Sequence, residues 1–545
     1  MTDSILFWNA VALEANRVSH SDPDKREQNG PTLSSRALAI VHLAMYDAYA
    51  GVVNNGATFP RYLNPPPAVP AGATSLPDAV AGAAFTTLSS LFKTQRDFFE
   101  SQLSCFDSSP SNKSYQFGVK VGEAILKIRA NDPDARDCGY KFSLGRSRHR
   151  VDPDNPGQGF HAPFYGAQSK GFAITKRWAL DSPPFDDTPQ DKQEYVKALK
   201  QVRADGIMPE LMATLLPAGL FNDRRTPGES VIGVYWAYDG ANRLGTPPRL
   251  YNQIIRQIAM KRSPGSSTTP NTEGENARLF AFVNAAMGDA GILAWEQKYC
   301  HDFWRPVVGI REHDVSFGPD ARNPQDAVNG IDPDADPFWL PLGAPSTNTM
   351  LKNATPNFPA YPSGHATFGA AAFHITRLFY GVPKGDRGRD DLFNELAFVS
   401  DELNGGNRDN KGAVRPRHVR GFKDGLWQMI IENAESRIYL GVHWIFDAFA
   451  SKNDKPDLTR NVGGVVLGLN IAEDIFAFGG KKAPMMTPDT KAKPPIETPE
   501  PNKSGMPTVP IQPPWVKGCA KKRGERGKEE PETVKDRYPS GTSPR

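Results

Sequence analysis

One stretch, Phe358-Pro-Ala-Tyr-Pro-Ser-Gly-His365, places the strongest constraint on the fold and chemistry of this chain. An extended, proline-rich segment leads to Ser363, a residue type favoured as a helix N-cap, and Gly364 lets the backbone approach a ligand closely. The apolar segment 366–380 that follows predicts a helix beginning near His365. A helix start carries unpaired N–H groups and the positive end of the helix dipole, so it is a natural binding place for a tetrahedral oxyanion. Taken alone, a Ser-Gly-His tripeptide is more often an ordinary helix cap, and its meaning depends on the rest of the chain.

Length and composition limit the class of protein. The chain has 545 residues, of which 39% are hydrophobic and 23% charged, and this indicates a soluble globular protein with two to four domains. The formal net charge is only +3, which gives no reason to expect a nucleic-acid partner or a membrane surface. Apolar stretches such as 462–472 are too short to span a bilayer. The widely spaced Cys105, Cys138, Cys300 and Cys519 indicate neither a metal site nor a disulfide framework.

Helical periodicity recurs along the chain, whereas strand signals are few. We therefore predict a mainly α protein built from helical bundles, with long irregular loops and few strands. Near the Ser-Gly-His stretch, the predicted helices cover 275–304, 364–381, 392–403 and 422–440, and a further helix begins near Val442.

Composition and helix spacing divide the chain into three parts. Residues 1–220 and 221–480 are each predicted to form a half that resembles a four-helix bundle, and the second half carries the candidate site. Residues 481–545 are rich in Pro, Lys, Glu and Thr and predict a disordered tail.

A second stretch, Trp295 to Pro306, supplies two cations. Lys298 and Arg305 are seven residues apart, or two helical turns, so we expect both on one face of a helix that Pro306 ends. Such a pair usually lies on a solvated surface. Here the neighbouring aromatic residues, including Trp295 and Trp304, favour burial, and buried cations are costly without an anion to pair with.

A third stretch runs from Ser436 to Asp447. We expect Gly441 to end one helix and Val442 to begin the next, which places His443 at a second helix start. Asp447, one turn further on, is placed to orient the imidazole ring. Arg437 supplies a planar guanidinium suited to an oxyanion. A lone buried histidine is usually a core residue, but this combination indicates an anion site.

The three stretches together supply three cations, a hydroxyl group, a helix-start amide and two imidazoles. Each charge-assisted hydrogen bond contributes roughly 1.5–3 kcal/mol, so five of them hold a multiply charged anion without any metal ligand. The combined pattern of Lys-x6-Arg-Pro, Pro-Ser-Gly-His and Ser-Arg-x5-His-x3-Asp is highly specific.

With this pattern the chain resembles the vanadium-dependent haloperoxidases, most closely the fungal vanadium chloroperoxidases. The pattern is also shared with the broader acid-phosphatase superfamily, but the closer likeness extends well beyond it. It includes Ile5-Leu-Phe-Trp-Asn, Ser35-Arg-Ala-Leu, His161-Ala-Pro-Phe-Tyr-Gly, Tyr235-Trp-Ala-Tyr-Asp-Gly, Gly245-Thr-Pro-Pro-Arg and Glu402-Leu-Asn-Gly. Residues 52–155 match poorly.

The resemblance implies a role for each residue of the pattern. His443 would be the axial vanadium ligand, and His365 would be the general acid/base that helps to deprotonate and bind peroxide. Asp239 matches the carboxylate that pairs with Arg437. The oxygens of vanadate would be held by Lys298, Arg305, Arg437, Ser363 and the N–H of Gly364, and the halide would lie beside Trp295 and Phe358.

The same resemblance implies the reaction and its partners. Vanadate would be the cofactor, with no heme or flavin, and the substrates would be hydrogen peroxide, a halide and small organic acceptors of hypohalous acid. Phe358 occupies a position where bromide-specific relatives carry histidine, so we expect oxidation of both chloride and bromide. The family implies secretion, although the N-terminus shows no conventional signal peptide.

Two other functions use the same residues. A phosphate-monoester hydrolase would employ His443 as nucleophile and His365 as the acid that protonates the leaving group, because vanadate mimics the geometry of phosphate. Trp295, Phe358 and the whole-chain likeness favour the haloperoxidase. A non-enzymatic oxyanion-binding or scaffold protein would leave His365 and Asp239 without a purpose.

Overall fold

The protein is described by a computed structural model that covers residues 3–133, 140, 142–163, 165–212, 225–319, 332–388 and 392–487. In its N-terminal part the α-helices are α1 Ser4–Ser19, α2 Gly30–Val53, α3 Leu76–Leu91, α4 Arg96–Leu103, α5 Lys113–Ile128, α6 Tyr165–Gln168 and α7 Pro189–Asp205. They are followed by α8 Pro227–Tyr235, α9 Pro247–Ala259, α10 Glu273–His301, α11 Pro306–Arg311, α12 Gly364–Phe379, α13 Gly425–Tyr439, α14 Ile445–Ala448 and α15 Gly464–Phe478.

The strands of the described residues form two small antiparallel sheets of two strands each. The first pairs β1 Leu396–Phe398 with β2 Arg420–Phe422, and the second pairs β3 Ala450–Lys452 with β4 Lys455–Asp457. In the first sheet Ala397 lies opposite Gly421. The mainly α fold with few strands, predicted from the sequence, is confirmed.

Helix α10 forms the centre of the fold. A capping box begins it, in which Thr272 and Glu275 each accept a hydrogen bond from the other's backbone N–H. It packs against α2 on one side and α12 on another. Among the described residues this helix is long and apolar enough to cross a membrane, and 94% of its most apolar window is buried inside the fold. Its apolar surface is therefore covered by neighbouring helices of the same chain.

Helix α12 packs most extensively on α15, and glycines on α15 allow the close approach. A Cβ atom at Gly468 would lie 2.5 Å from the carbonyl oxygen of Thr367. At Gly464 it would collide with the carbonyl oxygen of Ser363. The first turns of the two helices thus lie against each other, and α15 supports the backbone around Ser363.

Replacing Gly468 with alanine is expected to lower the free energy of unfolding by about 1–3 kcal/mol, because the added methyl group meets backbone atoms that cannot move aside. Denaturant-induced unfolding measures the change. Gly157→Ala is the matched control, since no atom of the described residues lies within 4 Å of a Cβ atom there. Equal midpoints for the two variants would show that the helix contact tolerates the methyl group.

The helix predicted over 392–403 is wrong. Residues 396–398 form β1, with Leu396 and Phe398 buried on one face and Ala397 exposed on the other, and Asp401–Leu403 forms one 3₁₀ turn. Short apolar runs do not distinguish strand from helix by periodicity alone. Here the antiparallel pairing with β2 stabilises the strand conformation of residues 396–398.

The proposed division of the chain stays a prediction. One hydrophobic core includes buried residues from both predicted halves, from Ile5 to Ala483. The predicted boundary at 220 and most of the predicted tail, residues 488–545, lie outside the described residues.

Candidate active site

A cavity of about 390 Å³ opens at the start of α12. Seven of the residues singled out from the sequence line it, namely Asp239, Trp295, Phe358, Gly364, His365, Arg437 and His443. The remaining three, Lys298, Arg305 and Ser363, are fully buried beside the lining residues. The structure therefore brings all ten residues together, although three of them do not reach the cavity surface.

The start of α12 has the predicted geometry. Ser363 is the N-cap, and its hydroxyl oxygen accepts a hydrogen bond from the N–H of Ala366 at 3.4 Å. The N–H of Ser363 donates to the carbonyl oxygen of Asp447 at 2.8 Å, which joins this segment to α14. A Cβ atom at Gly364 would lie 3.4 Å from the Trp295 ring, so glycine keeps the helix start open to the cavity.

Lys298 holds the segment that leads into α12. Its ammonium group donates to the carbonyl oxygens of Pro359 (2.8 Å), Ala360 (3.0 Å) and Pro362 (2.6 Å). An ammonium group has three N–H donors, and here each has a carbonyl acceptor. Complete burial, and secondarily the positive charge of Arg305, lower the pKa of Lys298 well below its ordinary value.

Arg305 connects three parts of the site. Its Nε donates to the carbonyl oxygen of Phe358 at 2.8 Å, and its Nη1 lies 2.8 Å from the carbonyl oxygen of Val442 and 2.9 Å from His443 Nε2. Its buried Nη2 has no hydrogen-bond partner among the residues that the structure describes. Burial lowers the pKa of Arg305 to about 9.

The prediction that Lys298 and Arg305 project from one helix is wrong. Helix α10 ends at His301, because Asp302 adopts the left-handed conformation with φ of 51°. Arg305 is the N-cap of α11, and Pro306 begins that helix instead of ending α10. The two cations converge because the chain turns between them.

His443 has a defined tautomer. Its Nδ1 lies 2.7 Å from Asp447 Oδ2. Because the guanidinium of Arg305 can only donate, Nε2 is the unprotonated nitrogen whose lone pair accepts from it, and Nδ1 carries the proton that faces Asp447. Burial and the positive charges of Arg305 and Lys298 lower the pKa of His443 well below its ordinary value. Burial also raises the pKa of Asp447 to about 7.

The prediction that His443 lies at a helix start needs correction. Helix α14 begins at Ile445, with Trp444 as its N-cap, so His443 lies in the link between α13 and α14. Gly441 makes the turn in this link with φ of 72°. Asp447 nevertheless faces the imidazole as predicted, and its carboxylate also accepts from the N–H of Trp444, the N-cap of α14, at 3.0 Å.

His365 also has a defined tautomer. Its Nε2 lies 2.7 Å from the carbonyl oxygen of Ala237. A carbonyl oxygen can only accept, so Nε2 carries the proton and Nδ1 is left as the proton-accepting atom. Burial and the nearby Arg437 lower the pKa of His365 well below its ordinary value, which keeps the free imidazole neutral.

Arg437 and Asp239 form an ion pair at the cavity wall. Arg437 Nη2 donates to Asp239 Oδ1 at 2.8 Å, and Nη1 donates to Oδ2 at 3.1 Å. The Nε atom of Arg437 is buried, and no described residue accepts a hydrogen bond from it. Burial raises the pKa of Asp239, and the charge of Arg437 opposes that shift. Asp239 Oδ1 also lies 3.9 Å from His365 Nε2.

An aromatic wall completes the cavity. The ring centroids of Trp295 and Phe358 are 4.8 Å apart. His161 lies against both, at 5.8 Å from Trp295 and 6.1 Å from Phe358, and its carbonyl oxygen accepts from Trp295 Nε1 at 3.2 Å. His161 belongs to a motif noted in the sequence, but nothing in the residues alone placed it here.

The charges and donors of this region fit an oxyanion. Among the described residues of the site, Lys298, Arg305 and Arg437 face two carboxylates, Asp239 and Asp447. In addition, Arg305 Nη2 and Arg437 Nε are buried donors without partners among the described residues. Buried cations and unpaired donors are costly, and a bound oxyanion supplies both the charge and the acceptors. The lone pair of His443 Nε2 is the kind of donor atom that ligates a metal.

Anion binding is expected to take up protons, because a dianion raises the depressed pKa of Lys298 and of the two site histidines. Anion affinity should therefore increase as the pH falls. Sulfate is the probe, since it stays fully ionised over the working range, and calorimetric titration in two buffers of different ionisation enthalpy measures the uptake. Lys298→Met should reduce the uptake. Sulfate binding at this site with no proton uptake would contradict the prediction.

Comparisons with known proteins identify the relatives of this chain. A family model described as the vanadium chloroperoxidase N-terminal domain matches residues 1–159, and one described as the VCPO second helical-bundle domain matches residues 278–469. Vanadium chloroperoxidase from Curvularia inaequalis is 34% identical, over 91% of this chain and 93% of that protein.

Solved structures share the fold. The chain is similar to a bacterial vanadium-dependent iodoperoxidase, with a TM-score of 0.56 and 18% identity over 88% of this chain and 97% of that one. It is also similar to the holo form of a bacterial vanadium-dependent chloroperoxidase, with a TM-score of 0.55 and 16% identity over 86% of this chain and 96% of that one. At these identities the likeness concerns the fold alone.

Proposed function

The chain belongs to the vanadium chloroperoxidase family, and from this premise we propose that it oxidises chloride and bromide with hydrogen peroxide through a vanadate cofactor. The observation that carries the proposal is the cluster of three buried cations around His443, whose Nε2 keeps a lone pair. When bound, vanadate supplies a Lewis acid that activates peroxide towards halide.

The residues of the cavity divide into two groups. His443 would ligate the metal through Nε2, while Asp447 holds the ring in the required tautomer. The oxygens are held by charge-assisted hydrogen bonds from side chains and by the helix-start amide. These groups belong to Lys298, Arg305, Arg437, Ser363 and Gly364.

Accommodation of the anion requires the donors to change partners. In the present arrangement Arg305 occupies the lone pair of His443 Nε2, and Lys298 is bonded to three carbonyl oxygens. Within the described part of the chain, Arg305 Nη2 and Arg437 Nε already have no hydrogen-bond partner. To hold the anion, the guanidinium of Arg305 would have to release His443 Nε2 and donate to the anion instead, which would leave that nitrogen free as a ligand.

His365 is the general base of the proposed reaction. Its Nε2–H is fixed on the carbonyl oxygen of Ala237, so Nδ1 accepts the proton that hydrogen peroxide loses. The low pKa keeps the imidazole neutral before peroxide arrives. The negative charge of a bound oxyanion would raise the pKa of His365. The imidazole would therefore keep the accepted proton until it is passed to the forming hypohalous acid.

The halide lies beside Trp295 and Phe358 in this proposal. Both rings lie close to a cation, with Lys298 Nζ 5.0 Å from the Phe358 ring centroid and 5.8 Å from that of Trp295. An apolar wall strips water from a halide while the ammonium group attracts it. Hypohalous acid leaves through the cavity and reacts with small organic acceptors. By family likeness we also propose that the protein is exported from the cell.

The proposed function is tested by halogenation of monochlorodimedone with hydrogen peroxide and chloride or bromide. The vanadate-free protein should gain activity on addition of orthovanadate, and phosphate should compete. The phosphatase alternative predicts turnover of p-nitrophenyl phosphate by the same preparation. Phosphatase turnover without any vanadate-dependent halogenation would reject the haloperoxidase.

A further inference from the structure

An irregular segment after α8 orients two of the residues proposed to act in the reaction. The carbonyl oxygen of Ala237 accepts from His365 Nε2, and Asp239 pairs with Arg437. Between them, Tyr238 has φ of 43°, a left-handed conformation that is uncommon for a residue with a side chain. Such backbone persists only where its surroundings hold it.

The support comes from the 3₁₀ turn Asp401–Leu403. Ser400 Oγ donates to the carbonyl oxygen of Tyr235 at 2.7 Å. The N–H of Asp401 donates to the Tyr238 hydroxyl oxygen at 2.8 Å. Glu402 Oε1 accepts from the backbone N–H of Tyr238 at 3.3 Å. The turn thus holds the segment at both ends, before Ala237 and after it.

Glu402 is fully buried, and its second oxygen accepts two hydrogen bonds that are shorter than the one to the first. Oε2 accepts from Thr347 Oγ1 and from Arg415 Nη1, both at 2.6 Å. Thr347 lines the cavity, and Arg415 supplies the opposite charge that a buried carboxylate needs. Glu402 therefore links the cavity wall, the partly buried cation Arg415 and the strained backbone at Tyr238.

We propose that Glu402, which pairs with Arg415, is a positioning residue. It places the Ala237 carbonyl oxygen where His365 Nε2 donates to it, and the Asp239 carboxylate beside Arg437. It touches no substrate, and it acts by fixing the backbone from 237 to 239. This proposal rests on the function proposed above, in which His365 is the base.

The main variant is Glu402→Leu, which removes both acceptors while keeping a buried side chain. Halogenation kcat should fall about 10–100-fold, as expected when a group that orients a catalytic residue is lost. Loss of the Ala237 hydrogen bond removes an interaction that raises the pKa of His365. The acid limb of the pH profile should therefore move to lower pH.

Glu402→Gln is the conservative variant. Its side-chain carbonyl still accepts from Tyr238, but its amide meets the donors Arg415 and Thr347, so kcat and the pH limb should lie between those of the wild type and of Glu402→Leu. If Glu402→Leu does not fold, this variant tests the same shift. The control is Glu473→Gln, which weakens a buried carboxylate bonded to Arg387 and His374 away from this segment.

A structural readout separates this inference from the function itself. In vanadate-free protein with ¹⁵N-labelled histidine, assigned with His365→Ala, the His365 signal should show the Nε2–H tautomer. Glu402→Leu should weaken that preference, and Glu473→Gln should not. This result stands even if the wild type shows no halogenation. An unchanged His365 tautomer and pH profile in Glu402→Leu would overturn the proposal. So would an equal loss of kcat in Glu402→Leu and in the control Glu473→Gln at matched stability.

Discussion

Replacing His443 with alanine is expected to abolish vanadate-dependent halogenation. Nε2 of His443 is an unprotonated ring nitrogen that lies beside the buried cation Arg305, and the contact of Nδ1 with Asp447 fixes that tautomer. Loss of groups that merely orient a metal ligand costs about 10–100-fold, so loss of the ligand itself should cost more than about 100-fold in vanadate affinity and in activity. Equilibrium dialysis against orthovanadate and the halogenation rate measure the two effects.

The control for His443→Ala is sulfate binding. Lys298, Arg305 and Arg437 stay in place in this variant, so sulfate should still bind to it, which shows that the fold and the anion-binding cations are intact. A variant that retains chlorination would show that His443 does not ligate the cofactor. A variant that loses sulfate and vanadate together would place the effect in the fold, and Asp447→Asn would then test the ligand through its tautomer.

Replacing His365 with alanine is expected to leave vanadate bound but to reduce chlorination by about 10²–10⁴-fold, the usual contribution of a general acid/base. The imidazole has its Nε2–H fixed on Ala237, so Nδ1 is the atom that accepts the proton. Vanadate affinity should change little, because the three cations and His443 remain. Dialysis and the pH dependence of chlorination measure the two effects.

His365→Asn is the matched variant for this prediction, because its amide can still donate to Ala237 but cannot accept a proton at working pH. It should be as slow as the alanine variant. Chlorination at the wild-type rate in either variant would remove His365 from the reaction. Weak vanadate binding in both would instead assign the residue to holding the anion.

The sequence predicted the best-defined local feature of the site. The Ser363 cap, the glycine after it and the apolar run of α12 depend on neighbouring residues only, and the structure shows the helix beginning at Gly364 as that pattern requires. The burial of Lys298 and Arg305 followed from the aromatic residues around them, and both side chains are at most 1% exposed.

The sequence could not predict features that depend on distant parts of the chain. We expected Arg305 on the face of α10, but Asp302, in the left-handed conformation, ends that helix. Arg305 instead contacts His443 from the start of α11. The carbonyl oxygen of Ala237 carries no side-chain signature, so its contact with His365 was invisible in the sequence. Strand pairing likewise decided the conformation around Leu396.

The most direct test of the vanadate site is a crystal structure of the protein soaked in orthovanadate. We predict density for one vanadium centre continuous with His443 Nε2, with Arg305 Nη2 and Arg437 Nε donating to its oxygens. Vanadate bound away from His443, or held by the arginines with no bond to the imidazole, would contradict the proposed site.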